Sequence, residues 1–231
     1  YKMYLGTFFV PGLVLIQICL LFRGQKKRRK KTASAVAVLM VFILSCTGCA
    51  GIEPEKRMYP LAMGVDVSEG EYILTYAMPD LPRATGQGKE EEDGNQTLQV
   101  RGKSFEEIKS RYERSQEKYL DIGHLQILIL SQDLTETDMW KDFFEYLREE
   151  PLAGENIYVF QTQEPEKLLG WKEGGTSVGE YITGLMENRM DREQKNGVTL
   201  RQVYYQWYQN GTLKKLPKIT LSEDQIQVWL E

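Results

Sequence analysis

The chain has 231 residues, with 29 Lys and Arg against 33 Asp and Glu and a formal charge of −4. Eight of the basic residues fall in the first 50 positions and no acidic residue precedes Glu53, which leaves 21 basic against 33 acidic residues beyond, a balance of −12. So acidic a domain excludes nucleic acid as a partner; with His124 its single histidine and all three cysteines (Cys19, Cys46, Cys49) in the first 49 residues, it can form no internal disulfide and lacks the side chains of a zinc or haem site.

Residues 1–25 read as a transmembrane-like segment. Met3 to Phe22 is apolar for about twenty residues, the length of a membrane span, with Pro11 and Gly12 inside and Arg23 at its end. Residues 26–49 read as a lipoprotein export signal. Lys26 to Lys31 are six consecutive basic residues that hold this side in the cytoplasm. The apolar run Ala33 to Leu44 that follows reaches only about 18 Å at 1.5 Å per residue, too short for a span and the right length for a signal h-region.

Leu44-Ser45-Cys46-Thr47-Gly48-Cys49 closes the signal as a lipobox, where small side chains flank the cleaved bond and a thiol receives the lipid. Cys49 follows the small pair Thr47-Gly48, whereas Cys46 has bulky Leu44 two residues before it. Cys49 is therefore the preferred lipidation site and Cys46 the second choice.

Residues 50–231 read as an α+β domain with a mixed or antiparallel sheet and packed helices. A short tether, Ala50 to Lys56, leads to a strand over Tyr59 to Val67. Ser68-Glu69-Gly70 turns the chain into a second strand over Glu71 to Met78, making an antiparallel hairpin. Ala84 to Asn95, dominated by Gly and Glu, reads as a solvated loop. Thr97 to Arg101 predicts a third strand. Ser104 and Glu107 form a capping box that opens a helix burying Phe105, Ile108 and Tyr112.

Ile122 to Leu130 is the most apolar run of the domain and predicts one buried strand, with His124 at its mouth. Thr137 to Glu150 predicts an amphipathic helix carrying Met139, Trp140, Phe143, Tyr146 and Leu147, stopped at Pro151. Ile157 to Gln161 is a further strand, so the order to this point is β-β-β-α-β-α-β. Glu164 to Trp171 predicts a short helix, Gly174-Gly175 a break, Ser177 to Asn188 a helix with Val178, Tyr181, Ile182 and Leu185 on one side, and Thr199 to Gln209 another. The last of these is unusually rich in aromatics: Tyr204, Tyr205, Trp207 and Tyr208. Lys214 to Leu221 passes through Pro217, and Ile226 to Leu230 predicts a closing strand.

No catalytic constellation emerges: a Walker loop, GxGxxG and a cysteine nucleophile in the exported part are all absent. His124 has no nucleophile or metal partner in the sequence and reads as a structural residue. Neither a catalytic residue nor a metal ligand nor a cofactor is expected, and no ligand-binding residue is fixed by the sequence.

The lipobox, Pro60-Leu61-Ala62-Met63-Gly64-Val65-Asp66, Gly102-Lys103-Ser104-Phe105-Glu106-Glu107 and Gly123-His124-Leu125-Gln126-Ile127-Leu128-Ile129-Leu130 stand together in one order, followed by the helix Met139 to Arg148 and by Leu216-Pro217. This set resembles the N-terminal part of the Ger(x)C family, the C subunits of the nutrient germinant receptors of endospore-forming bacteria. Where that family usually carries Trp-Asp behind its lipidated cysteine, this chain has Ala50-Gly51. The spacing to the first strand again favours Cys49.

The resemblance implies a lipoprotein on the outer face of the spore inner membrane, working with an A subunit and a permease-like B subunit in nutrient-triggered germination. It also implies a further C-terminal domain without counterpart in residues 50–231. Met3 to Lys31 resembles the tail of a B subunit, so a merged reading frame is one origin for residues 1–25. Two other classes predict different sites. A lipid-anchored extracytoplasmic solute-binding protein would show a cleft, with Tyr204 to Tyr208 as its lining. An envelope hydrolase would face two carboxylates across a groove.

Overall fold

The backbone hydrogen-bond demand of the most apolar run, Ile127 to Leu130, decides the architecture: with both faces apolar, it is stable only with a strand on each side and helices above and below. The computed structural model describes residues 52–79, 97–171, 176–188, 197–223 and 225–229. The apolar segment Met3 to Phe22, the export signal with Cys46 and Cys49, the loop Ala84 to Asn95 and the Gly174-Gly175 break all lie outside these. Glu53–Glu231 packs as one unit.

Nine strands occur among the described residues: β1 (Arg57–Met58), β2 (Ala62–Ser68), β3 (Glu71–Ala77), β4 (Thr97–Gly102), β5 (Tyr119–Leu120), β6 (Ile127–Ser131), β7 (Tyr158–Thr162), β8 (Lys218–Ser222) and β9 (Gln225–Trp229). Between them run α1 (Phe105–Ser115), α2 (Gln132–Glu136), α3 (Met139–Glu149), α4 (Pro165–Leu169), α5 (Val178–Glu187) and α6 (Leu200–Asn210). Seven strands form one sheet in the order β4-β3-β2-β6-β7-β8-β9, and β1 pairs with β5 in a separate parallel ribbon. The centre, β2-β6-β7-β8, is parallel, and antiparallel hairpins close both sides. The expected α+β class with a mixed sheet is the one found.

Alternation along β6 divides the core. Leu128 and Leu130 face a cluster built with Phe105, Ile108 and Tyr112 of α1, Trp140, Phe143, Phe144 and Leu147 of α3, and Leu200 and Val203 of α6. Ile127 and Ile129 face the other side, with Leu168 and Leu169 of α4, Trp171, and Val178, Ile182 and Met186 of α5. Gly64 of β2 is where α4 comes closest: a Cβ there would meet Leu169 Cδ1 at 2.6 Å and Pro165 Cβ at 3.1 Å. The β2–β3 hairpin turns on Glu69 (φ 53°) and Gly70 (φ 76°), the two positive dihedrals of a type I′ turn.

Several expectations shift. The first strand of the sheet starts at Ala62 rather than Tyr59, because Pro60 brings no N–H to a ladder; Arg57–Met58 pairs instead with β5. The run Ile122 to Leu130 is not one strand. The Asp121 carboxylate accepts from Gly123 N at 2.9 Å and caps a 3-10 turn over Ile122–His124, and the strand begins only at Ile127. The helix expected over Thr137 to Glu150 is found as α3 from Met139 to Glu149, and an unexpected short helix precedes it: Ser131 Oγ accepts from Leu134 N at 3.0 Å to open α2. Among the described residues no helix is long and apolar enough to cross a membrane.

Candidate interaction surfaces

Helix α6 carries the densest aromatic surface. Leu200 and Val203 hold it to the core, and Tyr204 and Trp207 pack partly into the same cluster. The Tyr204 hydroxyl donates to the Phe144 carbonyl at 3.1 Å, and burial pushes its pKa well up. Trp207 meets Trp140 edge-to-face, centroids 5.4 Å apart. Tyr208 lies outside this layer, stacked on Trp207 at 5.3 Å and on Tyr204 at 6.2 Å. Tyr205 and Tyr208 remain 68% and 57% exposed. The sequence-predicted lining Tyr204 to Tyr208 therefore splits: Tyr204 and Trp207 hold the helix down, while Tyr205 and Tyr208 are an outward face of two phenol rings.

A groove of about 440 Å³ opens instead between the start of α1 and the outer side of α3. Phe105 forms part of its wall, stacked on Tyr146 (4.4 Å, 9° between planes) and 4.5 Å from Tyr72. Its rim carries Glu106, Asp142, Glu145 and Glu149 together with Lys103. None of Tyr204 to Tyr208 lines it. The Tyr72 hydroxyl donates to the Met139 carbonyl at 3.2 Å and lies 3.5 Å from Asp142 Oδ2. Burial first, and then the Asp142 charge and hydrogen bond, push Tyr72 up to about 12.

Four carboxylates around one groove is the arrangement a hydrolase would need, but a general acid must be raised. Glu106 goes the other way: its own backbone N–H and the Ser104 hydroxyl hold it below the usual carboxylate range. Among the described residues, no three His, Cys, Asp or Glu side chains are placed to hold a metal ion. None of the motifs in the sequence marks this groove. Asp142, Glu145 and Glu149 stand at i, i+3 and i+7 of α3 and share a face, a signal that was available.

His124 is exposed in the 3-10 turn rather than seated in a strand, with its ring edge-to-face on Tyr59 at 4.9 Å. Beside it, Asp121 joins the turn to the tether: its Oδ2 accepts from Arg57 Nη1 at 2.5 Å. Burial alone would raise the Asp121 carboxyl, but the Gly123 N–H, the Arg57 bond and charge, and His124 together bring it below its ordinary value. Cys49 and Cys46 lie outside the described residues.

The family profile for the spore germination protein N-terminal domain matches residues 51–221. Neither a curated relative nor a solved structure matches the chain. The matched region takes in the seven-stranded sheet as far as β8 and every helix that packs on it. The chain thus belongs to the spore germination protein N-terminal domain family, and its role lies in spore germination.

Proposed function

We propose that the chain is the lipid-anchored C-type subunit of a spore germinant receptor. In this reading residues 26–49 direct export and Cys49, rather than Cys46, is acylated. The domain from residue 50 then works on the outer face of the spore inner membrane through contacts with the A and B subunits, without catalysis of its own. Residues 1–25 stand apart from this function.

The observation that carries the reading is one of order: the germination domain match begins at residue 51, two positions after a lipobox cysteine. Two acyl chains on one cysteine are sufficient for stable attachment. The outward rings of Tyr205 and Tyr208 supply the kind of rigid, amphipathic surface on which protein contacts are built.

The test is intact mass and membrane partition of the protein expressed in a spore former, with Cys49→Ala and Cys46→Ala alongside. Loss of the acyl mass in Cys49→Ala alone supports the reading. Unacylated protein that retains residues 1–48 overturns the anchor and leaves a membrane-spanning fusion in its place.

One observation favours the solute-binding alternative. The groove beside α1 falls within the size range of small-ligand sites, and its aromatic wall and acidic rim suit an organic cation. Calorimetric titration with arginine and with an uncharged amino acid separates the two readings, since the receptor-subunit reading requires no saturable heat from either.

A further inference from the structure

The covalent reach between anchor and domain restricts which end of the domain can meet the bilayer. Cys49 and Glu53 are four residue steps apart, a Cα separation of at most about 14 Å in a fully extended chain. Slack ends there. Pro54–Lys56 is a 3-10 turn, Arg57–Met58 pairs with Tyr119–Leu120, and Arg57 is tied to the buried Asp121. The tether enters at the sheet end where β2 and β6 begin, as the bonds Asp121 N to Met58 O and Gln126 N to Leu61 O, both 2.9 Å, show.

Exposed apolar side chains gather at this end. Tyr119 is 56% exposed and stands beside Arg57 in the β1–β5 register, while its neighbour Leu120 turns inward to the core. Leu152 is 46% exposed, and its Cβ lies 3.8 Å from where a Cβ on Gly123 would stand, next to the Asp121 carboxylate. Pairwise contacts through Arg57, the buried Asp121 and Gly123 thus join exposed Tyr119 and Leu152 in one strip of neighbouring residues. Ser68, at the other end of β2, is six residues away from Ala62, about 20 Å along the strand.

The geometry points to a membrane-docking face: the strip from Tyr119 to Leu152 rests in the interfacial layer of the bilayer that holds the acyl chains of Cys49. This rests on the acylation of Cys49 proposed above. A phenol and a leucine side chain at headgroup depth are chemically at home there. Exposed Glu55 and Lys56 precede Arg57, and exposed Glu117 and Lys118 precede Tyr119, so charges of both signs flank the strip and balance, and the contact does not call for anionic lipid. Docking fixes the domain's orientation, with the β2–β3 turn pointing away from the bilayer.

The test uses the acylated full-length product, purified and reconstituted into phosphatidylcholine vesicles containing a brominated lipid. After signal removal Cys49 is the only cysteine, so Tyr119→Cys, Leu152→Cys and Ser68→Cys each provide one thiol for a polarity-sensitive fluorophore. The expected result is a blue shift and bromine quenching at 119 and 152 and neither at 68. Acylated protein with equal quenching at all three sites, or with none at 119 and 152, overturns docking alone. Protein whose mass lacks the lipid overturns the anchor reading, and the docking proposal falls with it.

Discussion

Arg57 Nη1 donates to Asp121 Oδ2 across 2.5 Å, and this contact closes the end of the tether onto a carboxylate that is 5% exposed. Removing the guanidinium leaves a buried charge with only the Gly123 N–H. Arg57→Ala is expected to lower unfolding stability by roughly 1–3 kcal/mol at neutral pH. The sign with pH follows from the depressed Asp121 carboxyl: its contribution is present above the unfolded value of about 3.9 and disappears as pH falls through the folded value. Urea unfolding of both proteins between pH 7 and pH 2 should show the difference shrinking only in the acid range.

Gly64→Ala places a methyl 2.6 Å from Leu169 Cδ1, in a strand held by neighbours on both sides. The expected loss is about 1–3 kcal/mol. Combining it with Leu169→Ala should cost less than the two singles added together, a coupling that a double-mutant cycle by chemical denaturation reads directly.

Ser177 is fully buried and sits in a reciprocal cap with Glu180, whose backbone N–H it receives at 3.3 Å. Ser177→Ala is expected to cost about 1–2 kcal/mol. Ser177→Asp, which keeps an acceptor, should recover little, because the site has no room for an added charge. The check is the melting temperature of both variants.

Tyr72 provides an alkaline signature. With its phenol raised to about 12, its stabilising contribution is complete below the unfolded value of about 10 and is lost as pH rises through about 12. Ultraviolet titration of phenolate should show a late step that Tyr72→Phe removes, with a stability cost of roughly 0.5–1.5 kcal/mol at neutral pH.

Tyr205→Ser with Tyr208→Ser is expected to change stability by less than about 1 kcal/mol in total, since both rings are largely exposed. If the chain is a receptor subunit as proposed and α6 is the face that meets its partners, spores carrying the pair should keep normal levels of this protein and respond more slowly to nutrient. Unchanged germination at unchanged protein level would remove α6 from the interface.

Period and capping made the regular elements readable. Phe105, Ile108 and Tyr112 are buried on α1 as their spacing requires, and β3 and β4 fall within a residue of expectation. What escaped was decided by single side chains acting on the backbone. Asp121 bends Ile122–His124 out of an apolar run that otherwise reads as strand, and Ser131 starts a five-residue helix whose only buried residue, Leu134, is too little to create a period. The two-residue pairing of β1 with β5 has no local signal at all. For the sites, aromatic content drew attention to α6, but only packing could separate Tyr204 and Trp207 from Tyr205 and Tyr208. The groove needed α1 and α3 side by side, a relation that neither segment contains.

The parallel centre of the sheet has a consequence for how the chain reaches its working place. Ala62 meets Ile127, and Ile127 meets Tyr158, so β6 cannot be seated until the polypeptide up to Thr162 is available. Such distant pairing carries a large loop-closure entropy and makes folding slow. If the chain is exported as proposed, its precursor stays extended while it threads a secretion channel, and its Ile127 to Leu130 stretch is exposed to aggregation for that interval. On that route, late closure of β6 links translocation competence to a need for rapid folding once the domain has emerged.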